Sequence, residues 1–209
     1  MADDQSPKWL SWAREIQAIG QTGFNLTEGY YDRQNYARLL QIAAEMTALH
    51  SHVPCDEVLA AFQAQPGYAT VKVDVRGAVV WEDRILLVQE RRDERWCMPG
   101  GWADVGDRPS EMVAREVVEE SGFSVEPYRV VGIYDANREG RPMEFFHAYK
   151  IVLLCRILGG EARTSDETMG VDFFPFDRLP PLSRNRTSER HLQDVRDMLA
   201  DPHRQPVFD

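Results

Sequence analysis

The sequence predicts an α+β sandwich preceded by a small helical unit, on three observations. Apolar residues recur at helical spacing over the first sixty-odd positions. After Gln65-Pro66-Gly67 the texture changes to β-branched and apolar runs. Beyond that point strand and helix patterns mix without the strict alternation of a doubly wound sheet.

The elements follow in order. Trp9, Trp12, Ala13, Ile16 and Ile19 fall at three- and four-residue steps, the apolar stripe of an amphipathic helix, and Gly20 and Gly23 supply its expected stop. A second helix is expected from Asp32, an N-cap residue, to about Leu49, with Tyr36, Leu39, Leu40, Ala43 and Met46 inward. Pro54 and Asp56 open a third, short segment carrying Val58, Leu59 and Phe62. Three short helices make too small a core to stand alone, so this unit must pack on something else. The Gln65-Pro66-Gly67 break predicts a helical domain over 1–65 and a second domain over 68–209. In the second, Val71–Trp81 and Ile85–Gln89 flank Glu82-Asp83-Arg84 as a hairpin. Further strands are expected at Arg129–Tyr134, Phe145–Leu158 and Val171–Phe176, with helices at about Pro109–Ser121 and Thr187–Leu199.

Composition removes several function classes. With 24 Lys+Arg against 34 Asp+Glu, the 209-residue chain carries a net charge of −10, the opposite of the basic field a general nucleic-acid binder needs. No apolar run reaches the roughly 18–20 residues of a membrane-spanning helix, so no membrane association is expected. The acidic, polar start is unlike a secretory leader, and three cysteines without CxxC spacing indicate neither a disulfide framework nor a zinc site. A reducing cytoplasm is the expected compartment.

The informative stretch is Gly100-Gly101-Trp102-Ala103-Asp104-Val105-Gly106-Asp107 and the helix after it, from Pro109 to the left-handed position expected of Gly122. At about 100° per residue, Val113, Ala114, Val117, Val118 and Ser121 share one arc, while Glu116, Glu119 and Glu120 occupy another with Arg115 at its edge. Taken alone, such a helix is most often a solvated surface helix. Here, however, like charges at i, i+3 and i+4 repel, close to a helix C-terminus that also disfavours anions. A glycine-rich turn just upstream lets backbone oxygens approach the same place. Several oxygen ligands on one face suit a hard divalent ion such as Mg²⁺.

Gly101, five residues, Asp107, seven residues, then Arg115-Glu116-Val117-Val118-Glu119-Glu120-Ser121-Gly122-Phe123 resembles the Nudix box of Nudix hydrolases. One departure is Asp107, where that family has Glu. The resemblance extends to Val73–Gly77 with Leu86-Leu87-Val88, to Trp96–Gly101 and to Leu179-Pro180-Pro181-Leu182-Ser183. The Trp9–Met46 block is similar to the helical domain that precedes the Nudix domain in hydrolases of X-linked nucleoside diphosphates.

The resemblance implies an α/β/α sandwich with a mixed sheet and cleavage of a nucleoside diphosphate-X compound, ADP-ribose or CDP-choline first among them. It implies Mg²⁺, with Mn²⁺ as a substitute, held by Glu116, Glu119 and Glu120, with a backbone carbonyl of Gly100 or Gly101 completing the shell and Asp107 supporting the site from its edge. Arg115 either orients a glutamate or makes a surface ion pair. The general base is Glu167, on a loop outside the box, or Glu120. Arg76, Arg91, Arg92 and Asp104 are candidate substrate contacts, and His147 reads as a packed or hydrogen-bonded residue rather than a phosphate ligand. A small-molecule substrate and a homodimer built through the N-terminal helices are the expected partners. Two other readings remain: a housecleaning pyrophosphohydrolase of nucleoside triphosphates or RNA 5′ ends, and a non-catalytic nucleotide-sensing Nudix-like module. Three clustered glutamates count against the sensor.

Overall fold

The computed structural model describes residues 7–136 and 146–209. Two compact units are present: one runs to Val71 and takes in Phe146 and His147, the other comprises Lys72–Ala136 and Ala148–Asp209. Among the described residues, no helix is long and apolar enough to cross a membrane.

The first unit contains α1 (Lys8–Leu26), α2 (Tyr30–Leu49) and α3 (Cys55–Gln63). The expected stop at Gly20 and Gly23 is overturned, because α1 runs through both. Their purpose is close approach: a Cβ on Gly20 would lie 3.1 Å from Leu40, and one on Gly23 would lie 2.3 Å from the Tyr36 ring. That approach rotates the helix, burying Leu10, Ala13, Gln17, Gly20 and Gln21. Trp12 and Ile19, expected inward, stay 56% and 50% exposed. Trp9 stacks on His50 with ring centroids 4.1 Å apart. Leu40, Ala43, Ala44, Val58 and Phe62 form the small core. Helix α2 starts at Tyr30 after Gly29, two residues before the expected cap.

The second unit holds β1 (Lys72–Trp81), β2 (Arg84–Glu90), β3 (Trp96–Cys97), β4 (Gly100–Trp102), α4 (Pro109–Ser121), β5 (Phe123–Asp135), β6 (Ala148–Gly160), β7 (Thr168–Pro175), α5 (Glu189–Ala200) and β8 (Val207–Phe208). The main strand order is β3-β2-β1-β6-β5-β8, with β4 added to β1 and β7 to β2. Pairing is mixed, β1 lying parallel to β6 and antiparallel to β2 and β4. The expected β5 strand is twice as long as its apolar run suggested; three register shifts let it follow β6 around a bend. Of the strand expected at Phe145–Leu158, Phe145 lies outside the described residues, and pairing begins at Ala148. His147 therefore precedes the strand rather than alternating within it.

Both faces of this sheet are covered. Val75, Val79, Leu86 and Leu153 pack with Met112, Val113 and Val117 of α4 on one side. Ala78, Ile85, Leu87 and Leu154 pack with Leu192, Val195 and Met198 of α5 on the other. Each fully buried aliphatic side chain contributes about 1.5–3 kcal/mol of transfer free energy, so α4 is held to the sheet by its apolar stripe. Gly77 makes the fit possible, since a Cβ there would come within 2.7 Å of Val117. This is the α/β/α sandwich, and it fixes which face of α4 remains for chemistry.

Candidate active site

Helix α4 begins with Pro109 in its first turn and ends at Gly122, whose φ of 81° is left-handed. No basic residue lies in its last turn to offset Glu119 and Glu120. Its faces are not divided as the helical wheel suggested. Val118, expected inward, is 38% exposed, while Glu120 is buried at 6%. The cause lies in β4, which passes beside α4 and gives Glu120 a donor: Gly100 N–H hydrogen-bonds Glu120 Oε2 at 2.9 Å. Only glycine serves there, for Gly100 has φ +136° and a Cβ would stand 2.1 Å from the Val75 carbonyl oxygen. Gly101 faces Glu116, whose Oε2 would sit 3.3 Å from an added Cβ.

The electrostatics are those of a site with too many anions. Burial pushes the Glu120 carboxyl up to about 7; Arg76 and the Gly100 amide oppose this, while Glu90 and Glu116 add to it. Glu116 is raised as well, first by burial; Arg115 opposes the shift, and the charges of Glu119 and Glu167 increase it. Glu167, though on a separate loop, stands near enough for its charge to act on Glu116. Arg115 meets Glu116 at 2.9 Å, Asp107 at 3.1 Å and Glu119 at 3.6 Å. Asp107 also accepts from the Asp104 amide at 3.3 Å, so the shorter acid closes the turn and holds the arginine together.

Two sequence expectations need correction. Val118 does not belong to the buried stripe, as above. Arg76, a candidate substrate contact, is 5% exposed and engaged within the protein. Its Nη2 meets Asp74 Oδ1 at 2.9 Å and its Nη1 donates to the Met98 carbonyl at 3.2 Å. Lys150 Nζ meets the other Asp74 oxygen at 2.5 Å and donates to the carbonyls of Asn185 and Arg186 at 3.0 and 2.7 Å. Arg91 is exposed and donates to the Ser165 carbonyl at 3.3 Å. Arg92 is exposed, with no hydrogen bond or ion pair among the described residues. Asp104 is exposed in the turn.

Among the described residues, no three His, Cys, Asp or Glu side chains form a ready-made metal cluster. The reason is visible: Glu120 is turned to the Gly100 amide, Glu116 to Arg115, and Glu119 is 58% exposed. The donor set nevertheless fits a hard divalent cation. It consists of carboxylates alone, its two inner members are raised by burial and neighbouring carboxylates, and the glycine beside Glu116 keeps the space next to that carboxylate open, a Cβ there standing 3.3 Å from Oε2.

Residues 71–195 match the NUDIX domain family. The chain belongs to the Nudix hydrolase family. Residues 7–62 match a second family, described as a UDP-X-like N-terminal oligomerisation domain. A Bacillus subtilis (strain 168) relative carrying the provisional name ADP-ribose pyrophosphatase YjhB is 41% identical over 202 residues, 97% of each chain. The crystal structure of an ADP-ribose pyrophosphatase from Streptococcus suis 89-1591 is 40% identical with a TM-score of 0.61, covering 67% of this chain and all of that one. That of a UDP-X diphosphatase is 29% identical with a TM-score of 0.63, covering 97% of this chain and 98% of its own. As a Nudix hydrolase, this protein carries Asp107 where the family pattern has Glu. Asp107→Glu should leave kcat unchanged or raise it up to about 10-fold, since an outer carboxylate of this kind tunes rather than forms a metal site. A large loss of kcat in steady-state assays would show a site adapted to the shorter acid.

Sequence reading missed the residues that hold the site together. Asp74 and Lys150 are 76 positions apart, and Thr168, buried beside Glu120, carries no local signal beyond following Glu167. The alternation Val73-Asp74-Val75-Arg76 was the available clue, but nothing in it shows that Lys150, bonded to the Asn185 and Arg186 carbonyls, comes alongside.

Proposed function

We propose that this Nudix hydrolase is a Mg²⁺-dependent pyrophosphohydrolase of nucleoside diphosphate-X compounds, with ADP-ribose the first substrate to test and CDP-choline the second. The observation that carries the reading is the anion-rich arc of Glu116, Glu119 and Glu120, with Glu120 buried against Gly100, Glu116 half-buried beside Gly101 and Glu119 exposed. A chain of net charge −10 can take a diphosphate there only with cations between the two anions. The full-length likeness to proteins named as ADP-ribose pyrophosphatase and UDP-X diphosphatase supports the substrate class.

Glu116, Glu119 and Glu120 would hold the cation, and Mn²⁺ could replace Mg²⁺; when bound, it supplies charge neutralisation and a more acidic water. Arg115 orients Glu116 and Glu119 through charge-assisted bonds. Arg92, exposed, and Arg91, exposed beside the Ser165 carbonyl it donates to, would meet phosphate oxygens. Glu167 takes the proton as water attacks one phosphorus; the bridging P–O bond breaks, leaving a nucleoside monophosphate and phospho-X. The helical domain over 1–65 serves as the dimerisation element, consistent with the family that its residues match.

The experiment is a panel of ADP-ribose, CDP-choline, a UDP-sugar, NADH, diadenosine polyphosphates and nucleoside triphosphates, each with Mg²⁺, with Mn²⁺ and with chelator. Turnover of a diphosphate-X compound that chelator abolishes is expected. Turnover of triphosphates alone would move the protein to the housecleaning class, and none at all would favour the sensing module. Within the panel, Glu167→Gln should lower kcat roughly 100-fold or more without weakening metal binding, the mark of a base that does not ligate metal. If Glu167→Gln is silent while Glu120→Gln abolishes turnover, the base sits in the box helix.

A further inference from the structure

Glu167 belongs to a turn that is tied down from two sides. Within the turn, the Ser165 amide donates to Thr168 Oγ1 at 2.9 Å, and the amides of Glu167 and Thr168 donate to Ser165 Oγ, each at 3.2 Å. Just past the end of β2, the Arg91 amide donates to the Glu167 carbonyl at 3.0 Å, and the Arg91 guanidinium reaches the Ser165 carbonyl at 3.3 Å. These contacts shape the turn but do not relate it to the carboxylates of α4.

Upstream of the turn, the Arg163 amide donates to the Ser121 carbonyl at the end of α4 at 2.9 Å; at the turn itself, among the described residues, one side chain adds the hydrogen bond to α4. Thr168 is fully buried, and its hydroxyl donates to the backbone carbonyl of Glu120 at 2.9 Å. That carbonyl lies in the last turn of α4, where helix carbonyls lack intrahelical donors and need another partner. The same hydroxyl oxygen thus accepts from the turn and donates to the helix end. We infer that Thr168 is a positioning residue for hydrolysis: its hydroxyl sets where the Glu167 turn stands relative to the Glu116–Glu120 carboxylates. This rests on the reading of Glu167 as general base. A base misplaced by about 1 Å can cost on the order of 100-fold, so a buried bond fixing its turn has kinetic weight.

The test is a double-mutant cycle on the full chain, assayed with Mg²⁺ and whichever panel compound is turned over fastest. Thr168→Val keeps the shape and removes the hydroxyl; kcat should fall about 10-fold or more with KM within about 3-fold. Thr168→Ser should restore kcat to within a few-fold. Added to Glu167→Gln, Thr168→Val should cost less than about 2-fold more, because the residue it positions is already disabled. Mn²⁺ affinity by calorimetry should change less than about 2-fold, which a general disturbance of α4 would not allow. An unchanged kcat in Thr168→Val, a full further loss in the Glu167→Gln background, or a parallel fall in Mn²⁺ affinity would each overturn the inference. If Thr168→Val does not fold, Thr168→Ala, which also removes the hydroxyl, takes its place in the cycle, with absorption by Glu167→Gln supporting the inference and additivity refuting it. A silent Glu167→Gln would instead fell the base reading and this inference with it; a damaging Glu167→Gln with additive Thr168→Val fells only the inference.

Discussion

Glu120→Gln should cut kcat by about 100-fold or more while making the metal-free protein more stable. Both effects come from one placement. Glu120 is buried among Glu90 and Glu116, with Arg76 the cation that offsets it, and its carboxyl is pushed up to about 7. A raised carboxyl binds its proton more tightly folded than unfolded. The folded state is therefore penalised as pH rises from the ordinary Glu range, near 4.3, through 7, and the penalty is complete above that. Glutamine keeps an acceptor for the Gly100 amide but carries no charge, so it removes that penalty, on the order of 1–3 kcal/mol at pH 8 without metal. On the proposed reading it also removes an anionic oxygen ligand for the cation, which is the source of the expected fall in kcat. Glu116→Gln should act in the same direction with a smaller gain in stability, since Glu116 is less buried. Thermal melting with and without Mg²⁺, alongside turnover, checks both halves. A Glu116→Gln, Glu120→Gln double variant with wild-type turnover at saturating metal would show that the chemistry lies elsewhere.

The largest stability loss is expected at Asp74. Its carboxylate is bonded to both Arg76 and Lys150, all three buried. Burial alone would raise the Asp74 carboxyl, but the two cations outweigh it and hold the group below the usual range. Asp74→Asn leaves two cations without their counter-charge, a change that costs about 3–5 kcal/mol in comparable buried pairs. For a chain of this size that is a fall in Tm of roughly 6–20 °C. Because the folded carboxyl is depressed, its contribution is present above the unfolded value of about 3.9 and is lost as pH falls through the lower folded one. Acid should narrow the difference between wild type and variant. Adding Lys150→Met should recover part of the loss by removing one orphaned charge. A fall below about 2 °C for Asp74→Asn would mean that the cations find other partners. The bond from Arg76 to the Met98 carbonyl ties this network to the segment leading into β4.

The arc of Glu116, Glu119 and Glu120, the glycines facing it and the helix limits at Pro109 and Gly122 were legible in the sequence. They depend on spacing within one element and on backbone conformations that only certain residues adopt. Arg115 was legible for the same reason in part: Glu116 is adjacent and Glu119 one turn on, while Asp107 lies eight residues upstream, before the helix. Local spacing cannot say which neighbour covers a face. Helix α1 carries its aromatic stripe as a strong signal, yet Gly20 and Gly23 let α2 approach a different side, and Trp12 and Ile19 stay exposed. Glu120 belongs to the polar arc by angle but is buried by β4, which passes beside it. Arg76 looked available to substrate until Asp74, Lys150 and the 183–187 segment closed over it. Thr168 meets Glu120 across 48 residues. The sequence by itself determined the family, the sandwich and the placing of three glutamates on one short helix, because periodicity and motif spacing are properties of one stretch of chain. The tertiary structure alone decided which charges are buried, which cation answers which carboxylate and how the Glu167 turn is anchored, because burial and charge pairing depend on what the rest of the chain brings alongside.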